Sequence, residues 1–125
     1  MRPVILLIDD EIDLLTLMGT ALRHAMPDYE VLTTTSIDEA EDFLADLDAT
    51  GTQLALMVVD HVMGGRTGLE LLELLGNRFP HVPTLMFTGQ AAPRVEERAR
   101  QFGARVLFKP MRLSALVGQV QELVG

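Results

Sequence analysis

The chain contains no cysteine, which excludes disulfides and thiolate metal sites and is compatible with the cytosol. No apolar run approaches the roughly 20 residues needed to span a bilayer. Met1 to Ile8 imitates the start of a signal peptide, but its apolar stretch is short and acids follow where a small-residue cleavage site should stand. A cytoplasmic protein without a membrane partner is therefore expected. The net charge is −8, and neither a basic helix-turn-helix nor an aromatic-studded strand pattern is present, so direct nucleic-acid binding is not expected. Linkers, repeats and low-complexity segments are absent too. With 125 residues, the chain is predicted to form one domain over 1–125, large enough for a single core and too short for two. Lysine is almost absent: Lys109 is the only one among ten basic residues, and the other nine are arginines.

Charge is unevenly spread. Residues 1–87 carry fifteen acids against four arginines, a balance of −11, whereas residues 88–125 carry three acids against six basic residues, a balance of +3. Ordinary solvated helix faces explain this, and so does a C-terminal third that docks an acidic partner.

Apolar patterning predicts five strand–helix units. Val4 to Ile8 is a first strand, and Ile12, Leu15, Met18 and Leu22 repeat at helical spacing up to Pro27. Glu30 to Thr34 is a weaker β-branched strand, after which Ser36 and Glu39 form a capping box for a helix that stops near Gly51. Leu54 to Val59 is the third strand. The turn-rich loop Met63-Gly64-Gly65-Arg66 follows it, and Thr67 with Glu70 makes a second capping box before the leucine-rich stretch from Leu69 to Leu75. Val82 to Phe87 is the fourth strand, and a helix with a thin apolar face (Val95, Ala99, Phe102) ends at Gly103. A fifth strand reaches Phe108, and Leu113, Leu116, Val117, Val120 and Leu123 mark the last helix. Successive βα units predict an α/β fold, a doubly wound parallel five-stranded sheet.

In such a sheet the strands' C-terminal ends share one edge, where open α/β folds bind ligands. Asp9 and Asp10 follow the first strand, Asp60 the third, Thr88 and Gly89 close the fourth, and Lys109-Pro110 follows the fifth. Three carboxylates losing water together repel one another, a penalty that a bound hard cation removes. Mg²⁺ suits such a set because it accepts a few carboxylate oxygens while keeping waters. Asp9-Asp10-Glu11 alone also reads as helix capping. A lysine retained in an arginine-rich chain argues for a compact point charge in a narrow place, and a cis Lys109–Pro110 bond would aim it into the site. Thr88 offers a hydroxyl to a phosphoryl oxygen, and Gly89 leaves room for the group to enter.

In this order and register the residues resemble a response-regulator receiver domain of two-component signalling, related to the chemotaxis regulators, over essentially the whole chain: Asp9-Asp10, Asp60 with Met63 and Gly68 downstream, Thr88, and Lys109-Pro110. The resemblance implies a flavodoxin-like sheet of order 2-1-3-4-5, the order the chemotaxis member shows. It implies that Asp60 accepts a phosphoryl group from a histidine kinase or phosphotransfer protein. It further implies that Asp10, Asp60 and the Val62 carbonyl bind Mg²⁺, with Asp9 acting partly through water, and that Thr88, Gly89 and Lys109 face the phosphoryl group. The module would catalyse only its own phosphorylation and dephosphorylation, and would switch binding to an effector or a second copy through the 88–125 face. Three positions depart from the family pattern: Gly64 replaces a usual proline, Val106 a usual aromatic, and His61 is uncommon beside the acceptor. A degenerate receiver acting as a phosphorylation-independent docking module is the alternative. A haloacid-dehalogenase-type phosphatase needs a second Asp two residues after its nucleophile, and neither Asp9 nor Asp60 has one. A flavodoxin-like cofactor binder lacks its Gly-rich loop after strand one. No effector segment is present, so a stand-alone receiver and the N-terminal part of a longer regulator both fit.

Overall fold

The computed structural model describes all residues from Met1 to Gly125. Five parallel strands form the sheet: β1 (Val4–Ile8), β2 (Glu30–Thr34), β3 (Leu54–Val59), β6 (Thr84–Thr88) and β7 (Arg105–Phe108), in the order β2-β1-β3-β6-β7. Between β3 and β6 lies a separate antiparallel ribbon of two short strands, β4 (Val62–Met63) and β5 (Arg66–Thr67). Leaving that ribbon aside, the order is the expected 2-1-3-4-5.

Alternate residues of the central strands feed opposite cores, which is why β1, β3 and β6 read as nearly unbroken apolar runs. Leu6, Ile8, Met57, Val59, Met86 and Val106 pack on one face with α2 (Ile37–Thr50), α3 (Gly68–Arg78) and Ala99 of α4 (Pro93–Gln101). Ile5, Leu7, Leu56, Val58, Leu85 and Phe87 pack on the other with α1 (Ile12–Ala25) and α5 (Leu113–Val124). No helix is long and apolar enough to cross a membrane.

Three expectations change in detail. Met63-Gly64-Gly65-Arg66 is a hairpin turn: Gly64 and Gly65 take φ of 57° and 109°, the two positive values that a type I′ connection requires. Strand four begins at Thr84, not Val82, because Pro83 has no N–H to give a ladder, although its carbonyl accepts from the Met57 N–H at 3.2 Å. The capping boxes are half made. Ser36 and Thr67 accept from the N–H groups of Glu39 and Glu70 at 3.0 and 3.2 Å. The Ser36 N–H goes instead to Thr34 Oγ1, and the Thr67 hydroxyl reaches Glu70 Oε1.

The surplus cations of the C-terminal third are mostly balanced locally. Arg98 reaches Glu73 and lies 4.6 Å from the Phe102 ring centroid, Arg100 pairs with Glu96, and Arg105 with Glu122. Arg94 and Arg112 have no carboxylate partner within 4.0 Å.

Candidate functional site at the sheet's carboxyl edge

β1 pairs with β2 on one side and β3 on the other, so successive crossovers leave in opposite directions and a crevice opens beyond their carboxyl ends. The ladder continues one residue past β1, β3 and β7. The Asp9 N–H donates to Thr34 O at 3.2 Å, the Asp60 N–H to Ile8 O at 3.1 Å, and the Lys109 N–H to Thr88 O at 2.9 Å. Each side chain thus leaves from hydrogen-bonded sheet rather than from a free loop.

Lys109 ties the acids together. Its ammonium lies 2.8 Å from Asp9 Oδ2, 3.1 Å from Asp60 Oδ2 and 3.5 Å from Glu11 Oε1. Asp9 and Asp60 are buried, Lys109 nearly so, and the Lys109–Pro110 bond is cis. Burial raises the Asp9 pKa above its ordinary value, and the neighbouring Asp60 charge adds to that. The Lys109 ammonium and the Glu11 N–H, which donates to Asp9 Oδ1 at 2.9 Å, pull the other way without cancelling it. For Lys109, burial disfavours the ammonium, but its bonds to Asp9 and Asp60 outweigh this and raise its pKa.

Asp60 Oδ1 is buried and has no hydrogen-bond partner. An unpaired buried carboxylate oxygen is costly and calls for a ligand. Carboxylate oxygens of Asp9, Asp10 and Asp60 can be grouped within 4.8 Å of one another. An all-oxygen donor set beside an orphaned anion fits a hard divalent cation such as Mg²⁺. Asp10 is exposed, and with Glu11, Asp60, Val62, Thr88, Gly89 and Gln90 it lines a cleft of about 350 Å³.

Thr88 is fully buried and its hydroxyl is engaged by its own loop, donating to Gln90 O at 3.0 Å and accepting from the Gln90 N–H at 3.3 Å. A Cβ on Gly89 would meet nothing within 4 Å, so any need for glycine there comes from an occupant of the cleft. His61 is half-buried, and its Nδ1 is buried without a hydrogen-bond partner. Burial lowers its pKa, against the opposing charges of Asp60 and Glu70.

Two lining residues carried no sequence signal. Glu11 read as a helix cap, yet its side chain makes no cap bond and stands near Lys109. Gln90 is adjacent only because the loop folds back on Thr88.

Gly68 fixes the other side of Asp60. Its N–H donates to His61 O at 3.0 Å, and a Cβ there would collide with the Asp60 carbonyl, which is backbone and cannot rotate away. Gly68→Ala is therefore expected to cost about 2 kcal/mol of stability by urea denaturation and to shift the Asp60 amide resonance. Wild-type values for both would show that the close approach has slack.

Residues 5–121 match the family model of the response regulator receiver domain. The chain is 33% identical over 124 residues to the response regulator protein FleR of Pseudomonas aeruginosa, covering 96% of this chain and 24% of that protein. It is 30% identical over 122 residues to the response regulator RppA of Synechocystis, covering 95% of this chain and 49% of that one. The chain thus spans about a quarter of the length of the first relative and about half of the second. The non-phosphorylated HemR receiver domain from Leptospira biflexa superposes with a TM-score of 0.83 at 26% identity, covering 99% of this chain and 95% of that chain.

Proposed function

The chain belongs to the response regulator receiver domain family of two-component systems, and from that premise we propose that residues 1–125 act as one receiver domain whose Asp60 accepts a phosphoryl group. The observation that carries this reading is the buried, unpartnered Oδ1 of Asp60 beside an open cleft, with its other oxygen held by Lys109. A fixed carboxylate with one free oxygen is placed to attack phosphorus in line with a departing group. The donor is the phosphohistidine of a sensor kinase or phosphotransfer protein, and the nitrogen–phosphorus bond breaks as the Asp60 oxygen–phosphorus bond forms.

Asp10, Asp60 and the Val62 carbonyl would hold Mg²⁺, with Asp9 contributing through water. Bound there, the ion supplies positive charge against the phosphoryl oxygens. Lys109 supplies the second, and because it bridges Asp9 and Asp60 before the reaction it needs no large movement to meet the new anion. Thr88 must leave Gln90 to reach that anion, so phosphorylation competes with the loop's own hydrogen bonds. This competition links the chemistry to the segment after β6 and to the 88–125 face, through which an effector or second copy would be engaged. Catalysis is confined to the domain's own phosphorylation and dephosphorylation. A docking module that has lost its chemistry is the weaker reading, since the acids, Thr88 and Lys109 all meet at one edge.

Incubation with acetyl phosphate and Mg²⁺ followed by intact mass measurement tests the proposal: a stable phosphoryl adduct is expected, and an unchanged mass would favour the docking module. Asp10→Ala should weaken Mg²⁺ binding about tenfold and slow labelling, yet raise the metal-free melting temperature by relieving repulsion among the acids. A metal-free melting temperature that falls would count against a crowded acidic site.

A further inference from the structure

Val62 reaches the cleft from an unusual support. It belongs to the β4–β5 ribbon, whose turn is Gly64-Gly65, the most freely moving pair of residues available. A two-residue ribbon is not stable by itself. Something else must hold it.

Arg66, the residue after the turn and the register partner of Met63, is placed to do so. Its guanidinium bonds to Asp38 at 2.8 Å and to Glu41, both on α2, and its Nε donates to Glu70 on α3 at 3.3 Å. Asp38 and Glu41 stand 28 and 25 residues away in sequence. Next to it, Thr67 caps the Glu70 N–H and bonds the same carboxylate. One arm of the ribbon is therefore fastened to two helices, while the other carries Val62 and is anchored only by Met63, whose side chain is buried in the core. Isolated exposed ion pairs contribute little, but a guanidinium shared by three carboxylates from two helices forms a network with defined geometry.

We infer that Arg66 is a positioning residue, an electrostatic staple that orders the ribbon and thereby presents Val62 to the cleft. The staple supplies the rigidity that Gly64-Gly65 withholds. The link to metal binding rests on the proposed role of the Val62 carbonyl, whereas the ordering of the ribbon does not. Being charged and exposed, the staple should weaken as salt screens it.

The test uses Arg66→Gln, alone and combined with Gly64→Asn. Asparagine tolerates the positive φ of 57°, Asn-Gly is the preferred type I′ pair, and a Cβ at 64 meets nothing within 4 Å. Amide hydrogen exchange across residues 62–67 is read without metal, and Mg²⁺ affinity by titration calorimetry. Arg66→Gln is expected to speed ribbon exchange about tenfold and weaken Mg²⁺ binding about threefold, with the melting temperature little changed. Added Gly64→Asn should restore both, which replacing a lost bulk charge could not do. High salt should speed ribbon exchange in wild type and not in Arg66→Gln. Wild-type exchange rates in Arg66→Gln would overturn the staple. A double variant that regains ribbon protection without regaining Mg²⁺ affinity would overturn its link to the cleft. A wild type that binds no Mg²⁺ would sink the metal assignment of the proposed function, while the exchange rates still decide for or against the staple.

Discussion

Asp60→Asn is expected to remain folded and to take no label from acetyl phosphate. Asparagine keeps the shape of aspartate, and its carbonyl oxygen can still accept from Lys109, now 3.1 Å from Asp60 Oδ2. What disappears is the anionic oxygen that the proposed acceptor role requires for a bond to phosphorus. The loss should be complete rather than partial, because no neighbouring acid is equivalent. Asp9 already spends one oxygen on the Glu11 N–H and the other on Lys109, and Asp10 is exposed on the outer side of the cleft. Stability should hold or rise slightly, since one of three crowded carboxylates is neutralised while Lys109 keeps Asp9. Intact mass after incubation with acetyl phosphate and Mg²⁺, with circular dichroism as the control for folding, decides the matter. Labelling of the variant to the wild-type extent would place the acceptor elsewhere.

Lys109→Met should be the most destabilising single change at the site. The ammonium compensates two buried carboxylates at once, and removing one partner of a buried ion pair leaves charge without compensation, at a cost of about 3 kcal/mol. Methionine keeps much of the side-chain length against Phe87, whose ring centroid lies 5.8 Å from the ammonium, so the loss reads charge more than packing. Mg²⁺ should recover more stability in the variant than in wild type, because a cation among the acids stands in for the missing one. The pH dependence has a definite sign. The folded Lys109 pKa lies above its ordinary 10.5, so its contribution is whole below 10.5 and is lost as pH rises through the folded value. Wild type and variant should therefore converge in stability at strongly alkaline pH. Equal stability of the two at neutral pH without metal would show that Asp9 and Asp60 need no ammonium.

How far the site was legible depends on where each residue's partners lie. Asp9, Asp60, Thr88 and Lys109 could be assigned to one edge because buried parallel strands have continuous apolar runs, and the residue after such a run must emerge at the carboxyl end. Helices at Ile37 and Gly68 were marked by their caps, although only the outward half of each box is made, since the Ser36 N–H found a nearer acceptor in Thr34. The β4–β5 ribbon left no periodicity to read, being two residues per arm, and its glycines look the same in a loop as in a type I′ turn. The basic surplus of the C-terminal third was visible as a count, but its pairing with Glu73, Glu96 and Glu122 was not.

Sequence alone determined the five βα units, their parallel arrangement and the residues delivered to the carboxyl edge, because periodicity, capping and turn chemistry act over a few neighbouring positions and parallel crossovers have one hand. Tertiary structure alone decided that Lys109 is shared among Asp9, Asp60 and Glu11, that Thr88 turns to Gln90, and that Arg66 fastens the ribbon to α2 and α3. Those are choices between partners that local spacing leaves open. They are settled by distances of a few ångströms between elements that meet only once the sheet and its two helical layers have packed, and by which buried charges then lack water.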